Sequence, residues 1–236
     1  MIINFISGPR NISTALMYSF AQRTDTKVVD EPFYAYYLKL TSLDHPGKDE
    51  IMASMPSDPS VILNGIHQLA KTHDVVFLKN MAHHHINWEW SYLKEMHNVF
   101  LIRAPKQLIA SFAQVIDNPT LQDIGLKHEA DLLDYVIEHG KHAPIVVDTN
   151  QILSNPEKEL TTLCNRLGIQ FDNGMLTWSQ GPISEDGIWA KHWYKNVHQS
   201  TGLTPQKTSK RPLPAHCKDL YKEALPYYEK LQAYLN

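Results

Sequence analysis

The first twenty residues constrain the fold more than any other stretch. Ile2-Ile3-Asn4-Phe5-Ile6 is an apolar run of strand length, Ser7-Gly8-Pro9 is a turn, and Ile12, Leu16 and Phe20 follow at helical spacing. The pattern predicts strand, tight loop, helix. Backbone N–H groups that open such a helix have no partner within it, and the helix dipole turns its positive end toward the loop. Arg10 adds a permanent charge with planar donors, and Ser13 and Thr14 add hydroxyls. The loop is read as a cradle for a phosphate or sulfate group. The plainer alternative is the Gly-Pro turn of any α/β protein, with Ser13 and Thr14 as ordinary early helix residues. An ATP-binding loop of the usual kind needs a Gly-Lys-Ser/Thr triplet, and none occurs in the sequence.

Further apolar runs repeat the theme, each ending in a charged residue. Val28-Val29 leads to Asp30-Glu31-Pro32, Val75-Val76-Phe77-Leu78 to Lys79, Val99-Phe100-Leu101-Ile102 to Arg103, and Ile145-Val146-Val147 to Asp148. Such continuous runs suit strands covered on both faces. Helical stretches separate them: Phe33–Leu40, Val61–Ala70, Trp88–Met96, Pro105–Val115, Glu129–Glu138 and Pro156–Leu167, the last with Asn155 as its cap and Gly168 just beyond. The alternation predicts an α/β fold, a three-layer parallel sheet with helices on both faces. Ligands of such sheets bind at the carboxyl ends of the strands. There the Arg10 loop, Glu31, Lys79, Arg103 and Asp148 should gather. Thr41–Ser60, with three prolines, reads as an irregular exposed excursion. Residues 173–214 mix Gly, Pro, Trp and basic residues with little periodicity, as a lid or closing region would. A terminal helix begins near Leu220 and is expected to break or kink at Pro226.

The 236 residues suit one domain, 1–236, with that lid. A formal charge of -3 gives no basic field, so no nucleic-acid partner is expected. Cys164 and Cys217 make no disulfide framework. With no apolar run of membrane length and no leader pattern, the expectation is a cytoplasmic protein without a membrane partner.

Ser7-Gly8-Pro9-Arg10-Asn11-Ile12-Ser13-Thr14 resembles the 5′-phosphosulfate loop of the sulfotransferases, which use 3′-phosphoadenosine-5′-phosphosulfate (PAPS). Arg103-Ala104-Pro105-Lys106-Gln107-Leu108-Ile109-Ala110-Ser111 resembles the second signature of that family, in which a strand-end arginine and a helix serine hold the nucleotide 3′-phosphate. Asp30-Glu31-Pro32-Phe33-Tyr34 is similar to a segment that carries the catalytic glutamate in several branches, and Asn155-Pro156-Glu157-Lys158-Glu159-Leu160 to a later helix start. The matches run from about Ile2 to Gly168. The opening is especially close to a sulfotransferase-like domain that some plant proteins join to an aminotransferase-like domain; no second such domain is expected to fit in 236 residues. The familiar loop lysine is absent, with Arg10 its nearest substitute. The Lys-Gly-rich C-terminal phosphate loop is absent too, leaving Trp189–Trp193 or Lys207–Arg211 as replacements.

The resemblance implies a P-loop-like sulfotransferase fold, PAPS as co-substrate and a small-molecule hydroxyl or amine acceptor, with no metal. It places Gly8, Pro9, Arg10, Asn11, Ile12, Ser13 and Thr14 around the 5′-phosphosulfate and Arg103 with Ser111 on the 3′-phosphate. Lys79 would steady the transferred group, and Glu31 would be the base. His83, shortly after a Lys-ending strand, is the rival base; Glu31 would then be a solvated carboxylate or a partner of Arg10. The run His83-His84-His85 invites a zinc reading, but adjacent side chains seldom converge on one ion. Trp189 and Trp193 are candidates for an acceptor pocket. Two other functions remain open: a nucleotide phosphotransferase or hydrolase on the same fold, and a nucleotide-binding module without turnover.

Overall fold

A computed structural model describes residues 1–207 and 209–235. Five strands, β1 (Ile2–Ser7), β2 (Thr26–Asp30), β3 (Val75–Met81), β4 (His97–Ile102) and β5 (Ile145–Asp148), form one parallel sheet in the order β2-β3-β1-β4-β5. Alternation along each strand sends side chains to two separate cores. Ile3, Phe5, Phe77, Val99 and Leu101 join one core, and Ile6, Val76, Leu78, Phe100 and Ile102 the other.

The helices are α1 (Ser13–Phe20), α2 (Tyr34–Thr41), α3 (Lys48–Ser54), α4 (Pro59–Thr72), α5 (Pro105–Phe112), α6 (Leu121–Ile124), α7 (Leu126–His139), α8 (Thr149–Ser154), α9 (Pro156–Leu167), α10 (Ala190–Trp193), α11 (Lys195–His198) and α12 (Lys218–Gln232). Side chains of α1, α2, α3, α8 and α9 fill the first core, and those of α4, α5, α7 and α12 the second. This is the three-layer α/β arrangement that the alternating sequence predicts. Among the described residues no helix is long and apolar enough to cross a membrane.

Several local expectations change. Within Thr41–Ser60 the chain forms α3, which buries Ile51 completely, so the prolines flank a packed helix. Trp88–Met96 is a 3-10 turn over Trp90–Glu95 rather than an α-helix. Pro226 lies inside an unbroken α12 and on its exposed face, where water takes the carbonyl that loses its intrahelical donor. Residues 173–203, despite their weak periodicity, bury Met175, Trp178, Trp189, Tyr194 and Leu203 in the first core. Asn155 does cap α9, accepting the Lys158 N–H at 3.4 Å, and Gly168 ends it in left-handed geometry.

Candidate active site

The loop after β1 comes first. Gly8 lies where a Cβ would sit 2.4 Å from the Ile124 carbonyl oxygen, so only glycine lets the α6–α7 junction pack under the turn. Asn11 ties the loop to its surroundings: its amide donates to the carbonyls of Gly8 (3.4 Å) and Leu101 (3.2 Å), and its oxygen accepts from the Thr149 hydroxyl at 3.1 Å. Arg10 takes a positive φ of 59°, costly for any residue with a Cβ.

Strand order places β1 beside β4, and this brings the two signature segments together. The Arg103 guanidinium donates through Nη1 to the Arg10 carbonyl at 2.6 Å, and Arg10 Nε donates to the Ser111 hydroxyl at 3.2 Å. Burial, then the neighbouring Arg211, holds the Arg10 pKa below its usual value. Burial, then Arg10, lowers that of Arg103, with Asp148 partly opposing. Among the described residues none of these three arginines has a carboxylate within ion-pair distance, and Arg103 Nε is buried without a partner. Arg211 belongs to the Lys207–Arg211 stretch; Thr208 within it lies outside the described residues. Asp148 instead caps α8, accepting from the Asn150 and Gln151 amides at 2.8 and 3.1 Å.

A second cluster forms at the ends of β2 and β3. The Lys79 ammonium, 2% exposed, donates to Asp30 Oδ1 at 3.0 Å, to Glu31 Oε1 and to the Tyr194 hydroxyl at 2.6 Å. Its three donors are thereby engaged. Tyr194 donates in turn to Asp30 at 2.8 Å and accepts from the Trp189 indole at 3.1 Å. Burial depresses the Lys79 pKa, but Asp30 and Glu31 outweigh it and leave the net shift upward. Burial raises that of Glu31; Lys79 opposes this and Asp30 adds to it. Glu31 also has a positive φ, 39°, which lets its N–H continue the ladder to Lys79 O at 2.8 Å while the chain turns into α2. Asp30 and Tyr194 carried no signal beyond the Asp30-Glu31 doublet, because their partners come from β3 and from α11's leading edge.

The three histidines do not form a metal-binding cluster among the described residues. His83 packs edge-on to Tyr37, His84 stacks on Tyr34 at 4.8 Å between ring centres, and His85 bonds to the Tyr92 hydroxyl. Burial pulls the His83 pKa down to about 3, with His128 and His45 contributing. One cavity of about 810 Å³ opens over the strand ends. Pro9 to Thr14, Glu31, Lys79, His83, Arg103 and Ser111 all line it, and Gly8 lies beneath. Trp193 lines it as well, whereas Trp189 is buried behind Tyr194. A smaller cleft of about 410 Å³ at Arg23, Asp25 and Gln170 lies by the start of β2, away from these groups.

Known proteins are similar to the chain in sequence and in fold. The chain is 36% identical over 235 residues to branched-chain-amino-acid aminotransferase-like protein 1 of Arabidopsis thaliana, and 33% identical to its protein 2. Both matches cover 99% of this chain and 42% of the relative's length. In fold it is similar to the sulfotransferase domain of the Synechococcus PCC 7002 olefin synthase, with a TM-score of 0.55 at 17% identity, covering 94% of this chain and 93% of that one. A sulfotransferase domain from the curacin biosynthetic pathway matches with a TM-score of 0.55 at 14% identity, covering 100% and 98%. The sulfotransferase domain family matches residues 1–235, and the chain belongs to that family.

Proposed function

We propose that the chain is a sulfotransferase that moves a sulfuryl group from PAPS to a hydroxyl or amine of a small acceptor. The observation that carries this reading is the group of Arg10, Arg103 and Arg211, with Ser111 bonded to Arg10, without a neutralising carboxylate among the described residues. Like charges brought together at partly buried positions repel, and a bound polyanion relieves them. The donors fit the nucleotide: the unpartnered Arg103 Nε needs an acceptor, which a 3′-phosphate oxygen supplies. Arg10, Ser13, Thr14 and the loop amides would hold the 5′-phosphosulfate.

In this reading Glu31 takes the acceptor's proton. The acceptor's lone pair forms the new bond to sulfur while the bond from sulfur to the 5′-phosphate oxygen breaks, and that oxygen leaves with the bonding pair. Arg10 and the loop amides offset the charge gathering there, as in phosphoryl transfer. Glu31 suits the task better than His83. Its pKa is shifted upward, toward neutrality, whereas His83 keeps a proton only below about pH 3. Lys79, with its donors engaged, positions Glu31 rather than the transferred group.

Transfer of labelled sulfate from PAPS to a phenol tests the assignment. Glu31→Gln should lower kcat by about 10²–10⁴-fold with the nucleotide affinity kept, and His83→Asn by less than about tenfold. The reverse ranking makes His83 the base, and nucleotide binding without any transfer makes the chain a binding module.

A further inference from the structure

The cavity is electrically lopsided, and the strand order explains why. Its β1–β4 side carries Arg10 and Arg103, while the other side carries Glu31, Asp44, Asp123 and the histidines. If the sulfotransferase reading places the nucleotide on the arginines, the acceptor is left the other half.

That half is walled by rings. Tyr34 and Tyr37 each stack on His84 at 4.8 Å between centres, and His83 stands edge-on to both Tyr37 and His84. Leu43 and Trp193 complete the rim, 42% and 48% exposed despite their size. Large apolar side chains left open at a cavity mouth mark a ligand surface. Among the described residues, the only lysine or arginine lining this half is Lys79, and its donors are already taken by Asp30, Glu31 and Tyr194. Burial keeps His83 and His84 uncharged at neutral pH. An anionic acceptor would therefore lose its hydration and find no free cation.

We infer that the acceptor is a compound without negative charge and with a flat apolar body, seated between Trp193, Leu43 and the Tyr34–Tyr37–His84 wall, whose hydroxyl meets Glu31. Trp193 and Leu43 hold the body, and the absence of a spare cation rejects acids.

Three phenols that share a body but differ in terminal charge test this: 4-ethylphenol, 4-hydroxyphenylacetate and tyramine. Each is titrated by ligand-observed NMR into the protein saturated with 3′-phosphoadenosine-5′-phosphate. 4-Ethylphenol and tyramine should each bind at least about tenfold more tightly than 4-hydroxyphenylacetate. Trp193→Ala should weaken 4-ethylphenol about fivefold or more while the bisphosphate affinity stays within about twofold. Leu43→Asp, an exposed change that the fold tolerates, should weaken 4-ethylphenol too. Binding of the acid equal to or tighter than that of either other phenol overturns the inference. Unaltered 4-ethylphenol affinity in both variants also overturns it. If the bisphosphate itself fails to bind, the sulfotransferase reading falls, and the phenol series in its absence still decides the chemistry of this half.

Discussion

Arg10 and Glu31 are two of the four non-glycine residues with positive φ among those described. Each such residue costs on the order of 1–3 kcal/mol, and such strain persists where surrounding bonds fix it. Here the fixing bonds are visible. Arg103 holds the Arg10 carbonyl, and the Glu31 backbone is pinned by Lys79 on one side and Tyr34 on the other. Both side chains are thereby turned over the strand ends into the cavity. The sequence offered part of this. Pro32 disfavours helical geometry at Glu31, which predicts a non-helical residue there but not its positive φ, and nothing in Pro9-Arg10-Asn11 says which residue must turn left-handed. The preference for Glu31 over His83 is likewise a matter of surroundings, since the motif spacing admits both.

At the scale of elements, Tyr194 fastens the segment leading into α11 to the ends of β2 and β3 through Asp30 and Lys79. Tyr194→Phe removes one hydroxyl that serves three partners and leaves Lys79 and Asp30 short of a buried bond. The variant should lose about 1–3 kcal/mol in urea unfolding, with faster amide exchange across residues 187–203. An unchanged midpoint and unchanged exchange would show that Trp178 and Trp189 hold the segment without it. The elements themselves were largely readable. Continuous apolar runs located the five strands, and Pro105 and Pro156 marked helix starts. What escaped were α3 and residues 173–203, because short helices that pack one or two large side chains have no period to detect. Asp30 and Tyr194 escaped for a different reason: their partnership spans 164 positions in the chain.

For the whole molecule, the parallel sheet sorts charge by strand order, and beside β3 the chain buries His84 and His85 while His83 stands half-buried at the cavity. His84 and His85 are each 1% exposed, and burial followed by His83 holds the His85 pKa at about 3. At His83 and His85 the unfolded chain binds a proton below about pH 6.5, and the folded chain does not until about pH 3; burial shifts His84 in the same direction. Unfolded protein thus carries the extra protons in that window, and stability is lost as pH falls through it, by up to about 1.4 kcal/mol per pH unit for each histidine. Equilibrium unfolding between pH 7 and pH 5 should show this slope, and His85→Phe should flatten it; a flat profile in the native chain would refute the burial of these rings. The central claim rests on the other side of the sheet, where Arg10, Arg103 and Ser111 meet. Calorimetric titration with 3′-phosphoadenosine-5′-phosphate, against ATP and ADP and with Arg103→Ala alongside, tests it most directly. The account predicts preferential binding of the bisphosphate, weakened about tenfold or more by the substitution. No bisphosphate binding, or a preference for ATP with magnesium, would contradict it and favour a phosphotransferase.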